Sequence, residues 1–425
     1  MSQTNAPNSA STPSVQPDYR LALTILTTLF FMWGFITAMN DILIPHLKAV
    51  FTLTNFQAQT VNSAFFGAYA LVSYPAGLLV KKVGYQRGIV VGLIIAAVGC
   101  AGFALAADVH EYLVFLLALF VLASGITILQ VSANPYVSHL GAEESASSRL
   151  TLTQAFNSLG TTIAPWFGAT FILSMAIVSA DQLALMSASD QQLFYFDQAQ
   201  AVKMPYYVLA GVLGALAIIF SVISLPTLAK DESTSVASSD SILKHTHLVF
   251  GVIAIFMYVG GEVAIGSFLV NYFGEVNIAG LPEFEAAKFV TYYWGGAMIG
   301  RFVGAYLMLK VSANKVLAVN ASLVVLLLIV TITTSGAIAM YSVLAVGFFN
   351  SIMFPTIFSL AITRLGALSS RGSGLLCVAI VGGAVIPPLQ GALADTIGIQ
   401  HSFILPIFCY LYILFYGLKG YQVKP

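Results

Sequence analysis

Charge is what this sequence has least of. Lys, Arg, Asp and Glu together make up 8% of its 425 residues, about a third of the share in an ordinary soluble domain, so a water-facing globular surface cannot be built from it. Neither sign is in excess, with 17 basic against 17 acidic residues. That leaves no basic face for nucleic acid and no acidic tail. Cysteine is scarce too. Cys100, Cys377 and Cys409 lie far apart inside apolar stretches, without metal-ligand spacing, and read as small packing residues. Glycine-rich phosphate loops, zinc spacings and G-x-S-x-G elbows are missing, and the six histidines are scattered near segment ends. A membrane enzyme would need a clustered nucleophile or metal set, so no catalytic residue and no cofactor is expected. Residues 1–19 are rich in Ser, Thr, Asn, Gln and Pro and lack the basic start and apolar core of a signal peptide; a disordered cytoplasmic tail is expected there.

What the sequence has instead is long apolar runs. Hydrophobic residues are 58% of the chain, and the few charges punctuate uncharged stretches such as 21–40, 49–80, 112–142 and 316–363. About 20 apolar residues cross a bilayer as a helix. The pattern predicts an all-α membrane protein with twelve spans: 21–46, 57–80, 87–108, 112–138, 149–176, 204–226, 245–272, 286–310, 314–335, 338–364, 370–394 and 400–420. The run 316–363 is divided by a polar turn near Thr331 to Ser335.

Sorting Lys and Arg by loop puts thirteen on the side of the chain termini, including Arg20, Lys82, Arg87, Lys310 and Lys315, and only Lys48, Lys203 and Lys288 on the other. Basic loops are retained in the cytoplasm, so both termini are expected there. A polar segment, 227–246, reads as a cytoplasmic linker between an N-terminal half, 20–226, and a C-terminal half, 247–425. The halves echo each other. Gly160-x4-Pro165-x2-Gly168 in the fifth span recurs as Gly383-x4-Pro388-x2-Gly391 in the eleventh, Lys82-Val83 and Arg87 recur as Lys310-Val311 and Lys315, and Phe31-Met32-Trp33 recurs as Phe256-Met257-Tyr258. Two six-helix halves repeated in parallel are the architecture of major facilitator transporters.

Polar side chains inside a span are costly and normally face a cavity or a partner, which makes them functional candidates. Three are charged. Asp41 follows Asn40 near the outer part of the first span; its bland reading is a helix end at the membrane surface. Glu262 has Tyr258 one turn before it, so a carboxylate and an aromatic ring share a face. That combination suits a polyhydroxylated ring, although an ion pair with Arg301 would also account for Glu262. Arg301 itself reads as structural, near the cytoplasmic face, as do Lys82 and Arg87. Neutral donors and acceptors form the larger set. The fourth span carries Gln130 and Asn134 at i, i+4 and the fifth carries Gln154 and Asn157 at i, i+3, giving a polar stripe on each. Asn62, Tyr292, Tyr293, Trp294, Asn350 and Gln390 lie in other spans. Each alone is explained by interhelical hydrogen bonding; together they favour a polar cavity.

The strings Phe30-Phe-Met-Trp-Gly-Phe-Ile-Thr-Ala-Met-Asn-Asp-Ile-Leu-Ile-Pro45, Ala133-Asn-Pro135 and Gln154-Ala-Phe-Asn-Ser-Leu-Gly160 resemble the fucose/galactose/glucose:cation symporter family of the major facilitator superfamily. Within it the chain is most similar to the bacterial glucose/galactose branch, through Gly125-Ile-Thr-Ile-Leu-Gln130 and Phe256-Met-Tyr-Val-Gly-Gly-Glu262. The fucose-proton branch has intramembrane carboxylates in the first and fourth spans. Asp41 matches the first, but Gln130 stands at the second and cannot carry a proton, so the resemblance implies sodium coupling. The expectation is therefore a functional monomer of the bacterial inner membrane, importing glucose or galactose with sodium. Asp41, Asn40, Gln130, Asn134 and Asn157 serve the ion, with sodium at Asp41. Gln154, Asn62, Tyr258, Glu262, Trp294, Asn350 and Gln390 serve the sugar. The alternative is an N-acetylglucosamine or fucose permease, with proton coupling.

Overall fold

The computed structural model describes residues 19–50, 55–109, 111–171, 186–200, 203–223, 225–226 and 242–423. The tail 1–18 and most of the linker expected at 227–246 lie outside the described residues, as do the side chains of Asn40, Asp41 and Asn62.

Within the described residues the chain is helical and runs back and forth in twelve spans. They are α1 (Arg20–Val50), α2 (Asn55–Val83), α3 (Tyr85–Val109), α4 (Tyr112–His139), α5 (Ala146–Phe171), α6 (Lys203–Val222), α7 (Thr246–Gly274), α8 (Glu283–Leu307), α9 (Ala313–Thr333), α10 (Gly336–Asn350, resuming as Met353–Ala361), α11 (Ser369–Val378, resuming as Gly382–Ile397) and α12 (Ile399–Ser402, resuming as Ile404–Phe415). Ten are long and apolar enough to cross a membrane. The other two, α5 and α8, have 26 and 25 residues and are long enough by helical rise alone. The lower hydropathy of α5 comes from buried polar residues, among them Ser147, Ser148, Thr151, Thr153, Gln154 and Ser158, and that of α8 from Glu283, Glu285, Lys288 and Arg301.

The punctuation is local chemistry. The α2–α3 connection turns at Gly84 and the α11–α12 connection at Gly398, both with positive φ, a conformation that is strained for a residue with a Cβ. Three expected spans, 338–364, 370–394 and 400–420, are interrupted rather than continuous. In α10 the break falls at Ser351–Ile352. Pro355, four residues after Ser351, has no N–H to return to that residue's carbonyl. An additional short helix, Ala188–Gln200, precedes α6; its mixed polarity hid it in the sequence.

The same packing pattern appears in both halves. In the first, α1 packs on α5, α2 on α4, and α3 on both α4 and α6. In the second, α7 packs on α11, α8 on α10, and α9 on both α10 and α12. Every pair recurs six spans later. The halves meet through α2 with α11, α5 with α8 and α10, and α4 with α11. The three cysteines are free and buried in this packing, as expected.

Candidate substrate pathway between the halves

The halves are pressed together at the end of the bundle that carries the chain termini. There Ser147 Oγ of α5 lies 2.6 Å from Ser359 Oγ of α10, Ser148 Oγ donates to the Ala305 carbonyl of α8 at 2.6 Å, and Arg371 of α11 donates to the Tyr74 hydroxyl of α2 at 3.4 Å. Small residues allow the approach. A Cβ on Gly77 would meet the Ser370 carbonyl, and one on Gly374 would meet the Ser73 carbonyl. Pro135 builds one of these contacts. It sits inside α4 and cannot donate to the Val131 carbonyl one turn back. The freed carbonyl accepts from Ser373 Oγ of α11 at 2.9 Å instead, across the two halves.

Deeper in the first half the four expected amides gather where α4, α5, α1 and α2 meet. Gln154 Nε2 reaches Asn134 Oδ1 at 3.5 Å, Asn157 Nδ2 donates to the Phe30 carbonyl of α1 at 2.9 Å, and Gln130 Nε2 donates to the Tyr69 hydroxyl of α2 at 2.5 Å. The α1–α5 contact is as close as two backbones come. A Cβ at Gly34 would collide with the Asn157 carbonyl, and one at Gly160 with the Phe31 carbonyl. Two amide atoms in this nest, Gln130 Oε1 and Asn134 Nδ2, are buried with no hydrogen-bond partner, so the nest has both an acceptor and a donor to offer.

The second half holds a matching nest. Asn350 Nδ2 donates to the hydroxyls of Tyr293 on α8, at 2.8 Å, and Tyr410 on α12, at 3.3 Å. Tyr258 and Glu262 of α7 lie within the same electrostatic neighbourhood. The Tyr258 hydroxyl, Glu262 Oε1, Asn350 Oδ1 and Gln390 Oε1 are buried without partners. Gln390 stands apart from this group, donating to Ser402 Oγ of α12 at 3.3 Å. Trp294 packs edge-on to Tyr293 with ring centroids 5.1 Å apart and over Gly266, where a Cβ would lie 3.1 Å from the indole. At 44% exposure its ring is open on one side.

Arg301 joins the two nests. Its Nε donates to the Ser351 carbonyl at 3.1 Å, the acceptor that Pro355 sets free, while Nη1 donates to the Gln154 carbonyl at 3.4 Å and to Ser158 Oγ, both on α5 of the other half. It makes no ion pair with Glu262 among the described residues.

A bundle of twelve spans in two matching halves, with unpaired polar atoms buried in each and one end closed, is the geometry of an alternating-access carrier. The profile of the Major Facilitator Superfamily matches residues 24–379. The chain belongs to this superfamily. It is a multi-pass membrane transporter, not an enzyme. Over 418 residues it is 56% identical to a glucose/galactose transporter of Brucella abortus, with 98% of each chain covered. It is 47% identical to a putative glucose/galactose transporter of Helicobacter pylori, over 95% of this chain and 97% of that one. The L-fucose-proton symporter of Escherichia coli is 34% identical over 94% of this chain and 93% of its own. A crystal structure of the major facilitator transporter FucP in the outward conformation superposes with a TM-score of 0.89 at 34% identity, covering 95% of this chain and all of that one.

For a major facilitator chain, the placement of the expected site residues is informative. Gln130, Asn134, Gln154 and Asn157 come together, and Tyr258, Glu262 and Asn350 come together. Trp294 stands at the edge of the second group and Gln390 away from it. Arg301 reaches across to α5 rather than into a loop network. Lys82 at the end of α2 and Arg87 at the start of α3 are exposed, with no hydrogen bond or ion pair among the described residues. Sequence reasoning passed over Tyr69, Tyr410 and Ser158. Tyrosine and serine are common as packing residues in spans, and only the fold shows that their hydroxyls meet the amides.

Proposed function

We propose that the chain imports glucose and galactose by alternating access, coupled to an inward-moving cation, with sodium as that cation and Asp41 as its principal ligand. The observation that carries the reading is the pair of polar nests, one in each half and linked through Arg301, whose buried, unpartnered atoms are the donors and acceptors a hexose needs. Gln130, Asn134 and Gln154 would take hydroxyls from one side, Tyr258, Glu262 and Asn350 from the other, and Trp294 would lie against the apolar face of the ring. The similarity to glucose/galactose transporters supports the choice of sugar. With the basic residues retained in the cytoplasm, both termini face inward in a bacterial inner membrane. The closed end is then cytoplasmic. The chain acts as a monomer, since both nests belong to one chain.

The energetics suffice. One cation crossing about 100 mV gains about 2.3 kcal/mol, and a tenfold gradient adds about 1.4 kcal/mol. Together they support roughly several-hundred-fold accumulation of a neutral sugar. Asp41 left empty in a closing cavity would be an unpaired charge in hydrocarbon, which the cation removes. Glucose uptake into proteoliposomes should follow an inward sodium gradient, and Asp41→Asn should abolish accumulation. Uptake driven equally well by a proton gradient in sodium-free buffer would refute sodium coupling. Concentrative uptake by the Asp41→Asn protein would move the ion site elsewhere.

A further inference from the structure

We infer that Glu262 is a second ion-coupling position: its carboxylate, in the C-terminal half, is neutralised by a small monovalent cation before the carrier changes face. The inference rests on the reading of the chain as a cation-coupled hexose carrier.

Glu262 stands in the middle of α7, and the elements packed on α7 are α8, α10, α11 and α12. The residue is partly exposed as a whole, yet Oε1 is buried and meets no donor. The charged and titratable groups around it are few. Tyr258 lies one turn back on α7, Arg301 and Tyr293 come from α8, and Tyr410 comes from α12. Against the adjacent Gly260, α11 presents Ile386 and the Gly382 carbonyl, while Cys409 and Tyr410 of α12 lie against Gly261. Arg301 is the cation that could answer the carboxylate, and it is committed elsewhere, to Ser351, Gln154 and Ser158. From α10, Asn350 turns its amide nitrogen to Tyr293 and Tyr410 and leaves Oδ1 unpartnered. The Tyr258 hydroxyl lies against the carboxylate, though not in good hydrogen-bond geometry.

The carboxylate therefore sits among oxygens rather than N–H donors. A sugar hydroxyl can donate one proton to it and still leave it without a directly paired cation, because Arg301 acts on it only from a distance. A cation removes that charge. A proton turns the carboxylate into a carboxylic acid whose O–H can turn to the Tyr258 hydroxyl beside it. A sodium ion would take lone pairs from the same oxygens, as hard cations do. Access comes from the part of Glu262 that is exposed. Where the fourth span offers the uncharged Gln130, the seventh thus offers a carboxylate, and each half contributes one: Asp41 and Glu262.

The test separates charge from sugar contact. Wild-type, Glu262→Gln and Glu262→Asp proteins are reconstituted, and two quantities are measured with labelled glucose. One is accumulation under an inward sodium gradient and, separately, under an inward proton gradient without sodium. The other is counterflow at equal ion concentrations on both sides, which needs only binding and reorientation. Glutamine keeps an acceptor of the same shape and loses the charge. Glu262→Gln is expected to bring the accumulation ratio down to one under whichever gradient drives the wild type, while counterflow slows by less than roughly tenfold and no longer responds to that cation. Glu262→Asp should keep accumulation but change the cation concentration at half-maximal counterflow several-fold. The inference is overturned by a Glu262→Gln protein that accumulates glucose, by one that loses counterflow and accumulation in equal proportion, or by a Glu262→Asp protein with unaltered cation dependence. A wild type that shows no glucose counterflow with the cation present at equal concentration on both sides would instead refute the sugar assignment, since counterflow requires no ion gradient.

Discussion

Replacing Ser373 by alanine should loosen the closed end of the carrier by a predictable amount. Ser373 is buried at the meeting of α11 and α4, and its hydroxyl donates to the Val131 carbonyl at 2.9 Å. That carbonyl has no helical donor because Pro135 occupies the position that would supply one. With alanine at 373, closing the halves would bury an unsatisfied carbonyl, at a cost of about 1 to 3 kcal/mol. When that end is open, water serves the carbonyl in either protein, so the penalty falls on the closed state alone. The open population should rise between roughly fivefold and 160-fold. Ser370→Cys supplies the reporter: the position is 6% exposed at the closed end, and the three native cysteines are all buried. Its rate of alkylation by a membrane-impermeant thiol reagent, applied from the side of the termini, should rise by the same factor on adding Ser373→Ala. The decisive arm is Pro135→Ala, which restores an N–H to the Val131 carbonyl. Added to Ser373→Ala, it should return labelling toward the original rate. Unchanged labelling in Ser373→Ala, or no rescue by Pro135→Ala, would refute the argument.

Two further outcomes follow from contacts of the same kind. Arg301→Lys keeps the charge but cannot aim one donor at Ser351 and others at Gln154 and Ser158; loss of interhelical bonds worth about 0.6 to 1.7 kcal/mol each should speed labelling of the Ser370→Cys reporter at least severalfold, and a rate equal to that of Arg301 protein would show that these bonds do not hold the end shut. Gly34→Ala would drive a methyl group into the Asn157 carbonyl and part α1 from α5, an overpacking cost of about 1 to 3 kcal/mol that should appear as a lower melting temperature in detergent; an unshifted transition would mean that the two helices are not held at that separation.

Much of the fold is legible from the placing of charges, because hydrocarbon admits few of them and each interruption of an apolar run marks a membrane surface. Twelve spans and their order follow from that rule. The breaks in α10, α11 and α12 do not. An apolar run hides a helix interruption, since proline and small residues cost little hydropathy while they alter hydrogen bonding. The helix Ala188–Gln200 is missed for the opposite reason: it is short and polar, and lies outside the membrane rule.

The candidate residues were legible as exceptions, and their partners were not. Gln130, Asn134, Gln154, Asn157, Glu262 and Asn350 are conspicuous because an amide or a carboxylate in a span requires an explanation. What they do depends on which helices adjoin, and that is a property of the closed bundle. Glu262 and Arg301 illustrate the difference. Their sequence placement allowed an ion pair, yet the fold sends Arg301 across to α5 and leaves the carboxylate without a directly paired cation. The freed carbonyls of Val131 and Ser351 make the same point. Proline in the sequence dictates that each has lost its helical donor, by the chemistry of one missing N–H. Which side chain arrives to replace it, Ser373 from the other half or Arg301 from the same one, is decided by tertiary packing, because a hydrogen bond needs an approach within about 3.5 Å that no linear spacing specifies.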